Sequence, residues 1–346
     1  MSAMLLVRAL RDPASVDALS PGQWNALIAA ARAERLIGSL ADRVGDRPVP
    51  AAARAVLDDA LLDTARERRQ ALWEADRARV ALAALGVPVV LLKGTAYVAA
   101  GLDAGQGRFI GDLDILVPRD ALHEVEAALI AAGWEWVKED PYDDAYYRQW
   151  MHELPPMIHA TRDRMIDVHH TILPLTARPR PDAAALIADA VTLPDGLHLL
   201  SPAAMVCHAA AHMLADGDMQ GGLRNLWDIH LLCTQFSAAQ EDFYASVYEE
   251  AARHQLTAPI ARALRLARHL YGTPVPDYRA PITVDHRLRW SDRLFIARLL
   301  ARDGWGRETR KGLVFAFYLR SHLLRMPPMM LARHLLTKWR KGHRPV

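Results

Sequence analysis

The sequence predicts an α+β fold, a small mixed sheet with helices set between helical N- and C-terminal regions. Three observations lead there. Apolar residues recur at helical spacing before residue 87 and again beyond Pro181. Between them lie two short, strongly apolar runs, Val87 to Leu92 and Leu113 to Val117, of the length of buried strands. A third run, Met165-Ile166-Asp167-Val168-His169-His170, alternates with the period of a half-buried strand. A chain of 346 residues, 51% of them hydrophobic, is long enough for two domains and a sizeable core.

Residues 1–86 read as helical. Ser20-Pro21 has the form of a helix start, with Ser as the cap and Pro at the first position. Trp24, Leu27, Ile28, Ala31 and Leu36 follow at helical spacing. A longer helix is expected from about Pro50 to Leu85. Its apolar stripe is Leu57, Leu61, Ala65, Leu72, Ala75 and Leu82, its solvated face holds Arg66 to Arg69, and Gly86 ends it. After the strand ending at Leu92, a helix from Thr95 to Leu102 opens behind the turn Lys93-Gly94-Thr95. Asp103 to Gly107 is a loop. Asp120 caps a helix running to Ala132, Gly133 stops it, and Trp134 to Lys138 is the next strand. Glu139 to Asp144 reads as an acidic turn, and Tyr146–Met151 and Pro156–Ala160 as paired strands. Arg162-Asp163 makes a hairpin turn into the Met165 strand. From Pro181 onward the pattern is helical. Ser201-Pro202 starts one helix, running to about Ala215, and Gly221-Gly222 precedes another through Cys233. Further helices are expected near 238–254, 257–270, 285–302, 310–324 and 328–341.

The net charge of +2 exerts no global pull toward an acidic or basic partner. Cys207 and Cys233 both sit inside apolar helical patterns, as buried thiols in a reducing cytosol do. Arg8, Arg11 and Asp12 interrupt the early apolar run, so no secretory signal pattern forms, and Leu313 to Leu319 is too short to span a bilayer. The expectation is a cytoplasmic protein.

The chemistry is concentrated in two stretches. One is Val89-Val90-Leu91-Leu92-Lys93-Gly94-Thr95, and the other is Gly111-Asp112-Leu113-Asp114-Ile115-Leu116-Val117. On a strand, residues two apart share a face, so Asp112 and Asp114 project together while Leu113, Ile115 and Val117 face the other way. Like charges side by side repel, and a divalent cation with oxygen ligands relieves them. This points to a Mg²⁺ site handling phosphates, with Gly94 and Thr95 as the phosphate-facing turn. On the Met165 strand the same alternation puts Asp167 and His169 on one face.

This ordered set resembles the nucleotidyltransferase superfamily that includes DNA polymerase β. More narrowly, it resembles the bacterial uncharacterised nucleotidyltransferase family. Its residues are Leu92-Lys93-Gly94, Arg108, Gly111 to Asp114, Asp167-Val168-His169, His208 with His212, and Arg224 with Asp228. One departure is the turn, Gly94-Thr95 rather than a double glycine or Gly-Ser. The resemblance implies a polymerase-β-like palm at 87–175, an N-terminal helical region at 1–86 and a C-terminal helical domain at 176–346. It implies transfer of a nucleoside monophosphate from an NTP, such as ATP, to an acceptor hydroxyl, with release of pyrophosphate. Two Mg²⁺ ions (or Mn²⁺) would be held by Asp112, Asp114 and Asp167, with Asp167 orienting or deprotonating the hydroxyl. Lys93, Gly94, Thr95, Arg108 and Gly111 would bind the nucleotide. His169, His208, His212, Arg224 and Asp228 would stand behind them as supporting residues.

Several readings stay open. Asp112 and Asp114 are also compatible with an exposed turn, Lys93 with a surface lysine, Arg108 with a structural ion pair, and His169 with a plain sheet histidine. His208 and His212 have zinc-ligand spacing, with Asp216 and Asp228 as further ligands, but the His-Glu-x-x-His pattern is missing. From Arg307 to the C-terminus Glu308 is the only acid, and Leu331, Leu335, Leu336 and Trp339 share a helix side flanked by Arg333, Lys338, Arg340 and Lys341. Such a helix rests on the protein's own core, on an anionic membrane or on nucleic acid. A small molecule, sugar or peptide is favoured as acceptor over RNA. The rivals are a toxin-type nucleotidyltransferase acting on tRNA or protein, and a non-catalytic nucleotide-binding or membrane-peripheral module.

Overall fold

The computed structural model describes residues 2–138, 140–276, 287–326, 328–329 and 331–332. The chain opens with helices α1 (Ser2–Arg11), α2 (Pro21–Ala33), α3 (Ile37–Val44) and α4 (Ala51–Leu82). Ser20 and Gln23 close a reciprocal capping box at the head of α2. Helix α4 buries Leu57, Ala60, Thr64, Ala71, Ala75, Ala78 and Leu82. Leu61 and Ala65, expected on that stripe, are instead exposed. The buried line is mostly alanine, whose small side chain lets α4 lie close against α3 and the sheet.

The centre alternates strands and helices: β1 (Val90–Leu91), α5 (Lys93–Ala99), β2 (Asp112–Leu116), α6 (Leu122–Ala131), β3 (Trp134–Trp136), α7 (Pro141–Trp150), β4 (Met157–His159), β5 (Met165–His169), α8 (Ala183–Ala188), β6 (Val191–Thr192) and β7 (His198–Leu199). They form one mixed sheet in the order β3-β4-β5-β2-β1-β7-β6. β2 runs parallel to β5 and β1 parallel to β7, while the other pairs are antiparallel. The architecture is α+β, a mixed sheet packed between helical N- and C-terminal regions.

Four local expectations are corrected here. The strand expected at Tyr146–Met151 is part of α7. Asp140 accepts from the backbone N–H of Tyr142 and Asp143 at 2.9 and 3.2 Å, and Pro141 takes the first helical position, so cap chemistry overrides the aromatic β-propensity that follows. Asp120 caps nothing: it lies in a 3-10 turn, and α6 starts after Ala121 without a side-chain cap. The helix expected at Thr95 begins at Lys93, so the Lys-Gly-Thr turn is itself the first turn of α5. Beyond Pro181 the chain is not wholly helical, because β6 and β7 join the sheet through β7 beside β1.

The C-terminal part holds α9 (Pro202–Ala210), a π-helical turn (Ala211–Asp216), α10 (Gly222–Ala239), α11 (Phe243–Arg253), α12 (Thr257–Tyr271), α13 (Asp292–Leu299) and α14 (Lys311–Arg325). The helix expected from Ser201 to Ala215 thus loosens at Ala211. Arg320 of α14 answers two of the carbonyls there, donating to Leu214 at 2.5 Å and Gly217 at 3.4 Å. One large buried apolar cluster runs from α1 through the sheet to the C-terminal helices, and a smaller one joins Ala71, Val98 and Ile110. Residue 330 and everything from residue 333 on in the basic helix expected near 328–341 lie outside the described residues, as do residues 285–286 of the helix expected near 285–302. Among the described residues no helix is long and apolar enough to cross a membrane.

Asp292 clamps α13 to α12. It accepts from Arg265 at 2.7 and 3.2 Å, from Arg262 at 3.0 Å and from the Arg289 N–H at 3.0 Å. Burial opposes its ionisation, but these donors outweigh burial and hold its pKa down at about 2. Asp292→Ala strands the buried Arg265 and is expected to cost about 3–5 kcal/mol in urea unfolding at pH 7. Because the folded pKa is depressed, that contribution is complete above about pH 4 and is lost as pH falls toward 2. The variant's stability should therefore lack this acid limb.

Candidate active site

The site is built on the β2–β5 pair. These parallel neighbours are in register, Asp114 opposite Asp167 and Asp112 opposite Met165. Residues directly opposite one another on paired strands share a face, as do residues two apart on one strand, so Asp112, Asp114, Asp167 and His169 emerge together. Leu113, Ile115, Ile166 and Val168 go the other way, into the core. The three aspartates offer one oxygen each within 4.8 Å of one another.

Their electrostatics are unequal. Burial works against the Asp114 carboxylate, but it accepts from Lys93 Nζ at 2.6 Å and pairs with His169 Nε2 at 3.0 Å, and these hold its pKa far below the usual range. Both bonds fall on Oδ1. The Asp112 carboxyl is pushed up, first by the charge of Asp114 and then by burial. Asp167 is pushed up to about 7 by burial, by Asp114 and by Glu153. Its Oδ1 is buried without a hydrogen-bond partner. Lys93 resists its own burial because Asp114 keeps it charged. One ammonium thus answers one of three carboxylates, and the orphaned Asp167 oxygen faces two like charges. An all-oxygen donor set with surplus negative charge fits a hard divalent cation.

In the turn, Lys93 takes the left-handed backbone conformation, with φ 47°. A Cβ on Gly94 would lie 2.5 Å from Arg108 Nε, so the glycine makes room for that arginine. The Thr95 hydroxyl is buried without a partner. Gly111 has open space where a Cβ would stand, so nothing steric in this arrangement demands glycine there.

Arg108 crosses to the helical side, where its Nη1 donates to Asp228 of α10, and its guanidinium lies 5.4 Å from the centre of the Tyr97 ring. Arg224, one turn before Asp228, donates to Ser39 at 2.7 Å. These groups border a cleft of about 440 Å³ between the sheet, the α2–α3 corner and α10, which Lys93, Asp112, His208 and His212 also line. Burial and the neighbouring Lys93 charge depress both histidines, His208 well below its usual value and His212 to about 3, so both are neutral at pH 7. Neither belongs to a metal-ligand group among the described residues, which leaves their zinc-like spacing without a third ligand. The Asp216 side chain is outside the described set. A groove of about 480 Å³ beside α4 shares Arg35, Phe109 and Gly111 with the cleft.

Sequence reasoning missed Glu153 and His152. Glu153 bridges to His169 through the backbone and places Oε2 3.5 Å from His169 Nε2 and 3.7 Å from His152 Nε2. His152, Glu153 and His169 form a second candidate metal-coordinating cluster. His152 and Glu153 lie in an irregular stretch with no periodicity to flag them. The only signal was the adjacent His-Glu pair itself.

The family described as uncharacterised nucleotidyltransferase matches residues 20–272 of the chain. This protein belongs to that family. Its mixed sheet with flanking helices is the polymerase-β-like palm, and both carboxylate-bearing clusters are consistent with divalent-metal use by a member of the superfamily. Two solved structures of ANT(2'')-Ia are distantly similar. The solution structure of that antibiotic-resistance factor is 14% identical and covers 55% of this chain and 95% of its own, with a TM-score of 0.37. The crystal structure with adenylyl-2''-tobramycin is 13% identical and covers 53% and 97%, with a TM-score of 0.36. No curated protein matches the chain.

The crowding of carboxylates has a cost in this family member when no cation is bound. A carboxyl with a raised folded pKa loses stability as pH rises from about 4 to about 7 and stays destabilised above. Asp167→Asn is therefore expected to raise the Tm in EDTA at pH 8 by about 2–5 °C, from relief of about 1–2 kcal/mol. The same variant should lose the Tm rise that Mg²⁺ or Mn²⁺ gives the wild type, read by differential scanning calorimetry.

Proposed function

We propose that the chain is a divalent-metal-dependent nucleotidyltransferase that moves a nucleoside monophosphate from an NTP to an acceptor hydroxyl and releases pyrophosphate. The observation that carries this reading is the set of three carboxylates from two parallel strands, within 4.8 Å of one another, at the edge of a cleft rich in cationic side chains.

Asp112, Asp114 and Asp167 would hold Mg²⁺, or Mn²⁺, as two ions. Asp114 would contribute through Oδ2, since its bonds to Lys93 and His169 both fall on Oδ1. When bound, such ions neutralise charge on the attacking and leaving oxygens of an in-line displacement. Lys93 and His169 fix the Asp114 carboxylate from behind, which sets the geometry of the shared oxygens. Asp167 orients the acceptor hydroxyl and takes its proton. The triphosphate lies in the cleft, along the first turn of α5. The neutral His208 and His212 contribute hydrogen bonds without charge. The acceptor, a small molecule, sugar or peptide, has room in the adjoining groove, where Ile37, Val56 and Ala60 give an apolar floor. Asp59 and Asp63 stand on its rim.

The test is incubation of the protein with each α-labelled NTP, Mg²⁺ and a cell extract. Label should enter one acceptor, with stoichiometric pyrophosphate. Asp112→Asn should lower turnover by at least about a hundredfold while circular dichroism stays unchanged, since charge stabilisation at the reacting phosphate is lost. No label and no pyrophosphate with any NTP would sink the reading.

A further inference from the structure

Beside the three aspartates the chain gathers a second set of metal-binding side chains with a different chemistry. His152, Glu153 and His169 each offer one ligand atom, and the three atoms lie within 4.8 Å of one another. Glu153 Oε2 stands 3.5 Å from His169 Nε2 and 3.7 Å from His152 Nε2. Both separations are longer than a good hydrogen bond. They are close to the spacing of about 3.4 Å between donor atoms that bonds of about 2.0–2.1 Å make around a tetrahedral ion. The backbone fixes this arrangement. His170 N–H donates to the His152 carbonyl and Leu154 N–H to the Val168 carbonyl, both at 2.9 Å, so the irregular stretch is tied along β5. Both histidines are buried, and Glu153, at 15% side-chain exposure, keeps contact with solvent. The local charge also favours a cation. The carboxyl groups of Asp112, Asp114 and Glu153 all act on one ammonium, Lys93, and that ammonium bonds to Asp114.

We propose that His152, Glu153 and His169 form a metal site of their own, for a dication of the Zn²⁺ class rather than Mg²⁺, and that filling it weakens the hold of the aspartate site on its own ion. Mg²⁺ demands oxygen ligands in an octahedron, whereas two imidazoles and a carboxylate are a donor set that Zn²⁺ takes in a tetrahedron, with water in the fourth position. The two sites meet at His169. Its Nε2 lies 3.0 Å from Asp114 Oδ1 and supports that carboxylate by hydrogen bonding. An Nε2 that binds a metal has no proton to share, and the neutral ring then keeps its one proton on Nδ1. The hydrogen bond to Asp114 is therefore lost when the ion arrives. A second dication also stands beside the aspartates, so Zn²⁺ and Mg²⁺ weaken each other's binding by the same factor. The inference lies outside the transferase reading, which uses only the ions held by the aspartates.

The experiment is calorimetric titration of the metal-stripped full chain with Zn²⁺ alone, in an Asp112→Asn background that disables the aspartate site. One equivalent should bind. His152→Gln or Glu153→Gln, added to that background, should weaken binding at least about tenfold. Glu153 is partly exposed, so its variant serves where His152→Gln does not fold. Co²⁺ in place of Zn²⁺ should give the strong visible absorption of a four-coordinate ion, which both variants should lack. In the chain with its aspartates intact, one equivalent of Zn²⁺ should reduce the Tm rise that Mg²⁺ gives, and His152→Gln should abolish that reduction. No Zn²⁺ binding in the Asp112→Asn background, binding that both variants keep, or the weak spectrum of six-coordinate Co²⁺ would overturn the site. A Mg²⁺ response that Zn²⁺ leaves unchanged would overturn the coupling. None of these readouts needs a nucleotide, so their failure leaves the transferase reading standing, and absence of nucleotide transfer leaves the metal site standing.

Discussion

The in-register parallel pairing of β2 with β5 is the constraint on which the rest depends. It sets Asp114 directly opposite Asp167 and brings Asp112 into the same patch. A slip of one residue would turn Asp167 into the core and bring Ile166 or Val168 out beside the acids. The apolar residues between the acids prevent that slip. Leu113, Ile115, Ile166 and Val168 are all buried on the opposite face. The hydrophobic effect therefore pays for holding like charges together, and Lys93 offsets only part of their repulsion.

The helical parts complete what the sheet begins. α5 delivers Lys93 and Tyr97 to the cleft, while α10 brings Arg224 and Asp228. The N-terminal helices take part through side chains rather than as a separate layer. Ser39 of α3 accepts from Arg224, and Glu34 at the end of α2 accepts from α10 and from Arg302. One apolar cluster spans these segments, so the cleft walls belong to one continuous core. The site is thus two-sided, with carboxylates on the sheet face and guanidiniums on the helical face.

Much of this was legible in the order of residues. The short apolar strands, the capping sequence at Ser20 and the alternation at Met165 are local signals, and local sterics and hydrogen bonding act on them directly. The Asp112–Asp114 and Asp167–His169 pairings on single faces follow from strand period alone. Local signals failed where two of them competed. At Pro141–Trp150 the cap of Asp140 and Pro141 prevailed over aromatic residues that favour strands. At 191–199 two strands of two residues each were too short to announce themselves, and only docking beside β1 makes them strands.

By itself, the sequence determined the α+β class, the two acid-bearing strands and which face of each strand carries charge, because those depend on neighbours in the chain. Only the tertiary structure decided how the charges are shared. Lys93 is spent on Asp114, His169 bonds to Asp114 rather than to the Asp167 two residues before it, Gly94 serves Arg108, and Arg108 crosses to Asp228, 120 residues away. Glu153 entered the site from an irregular stretch for the same reason. Coulomb attraction and burial act through space, and the partners they select lie far apart along the chain.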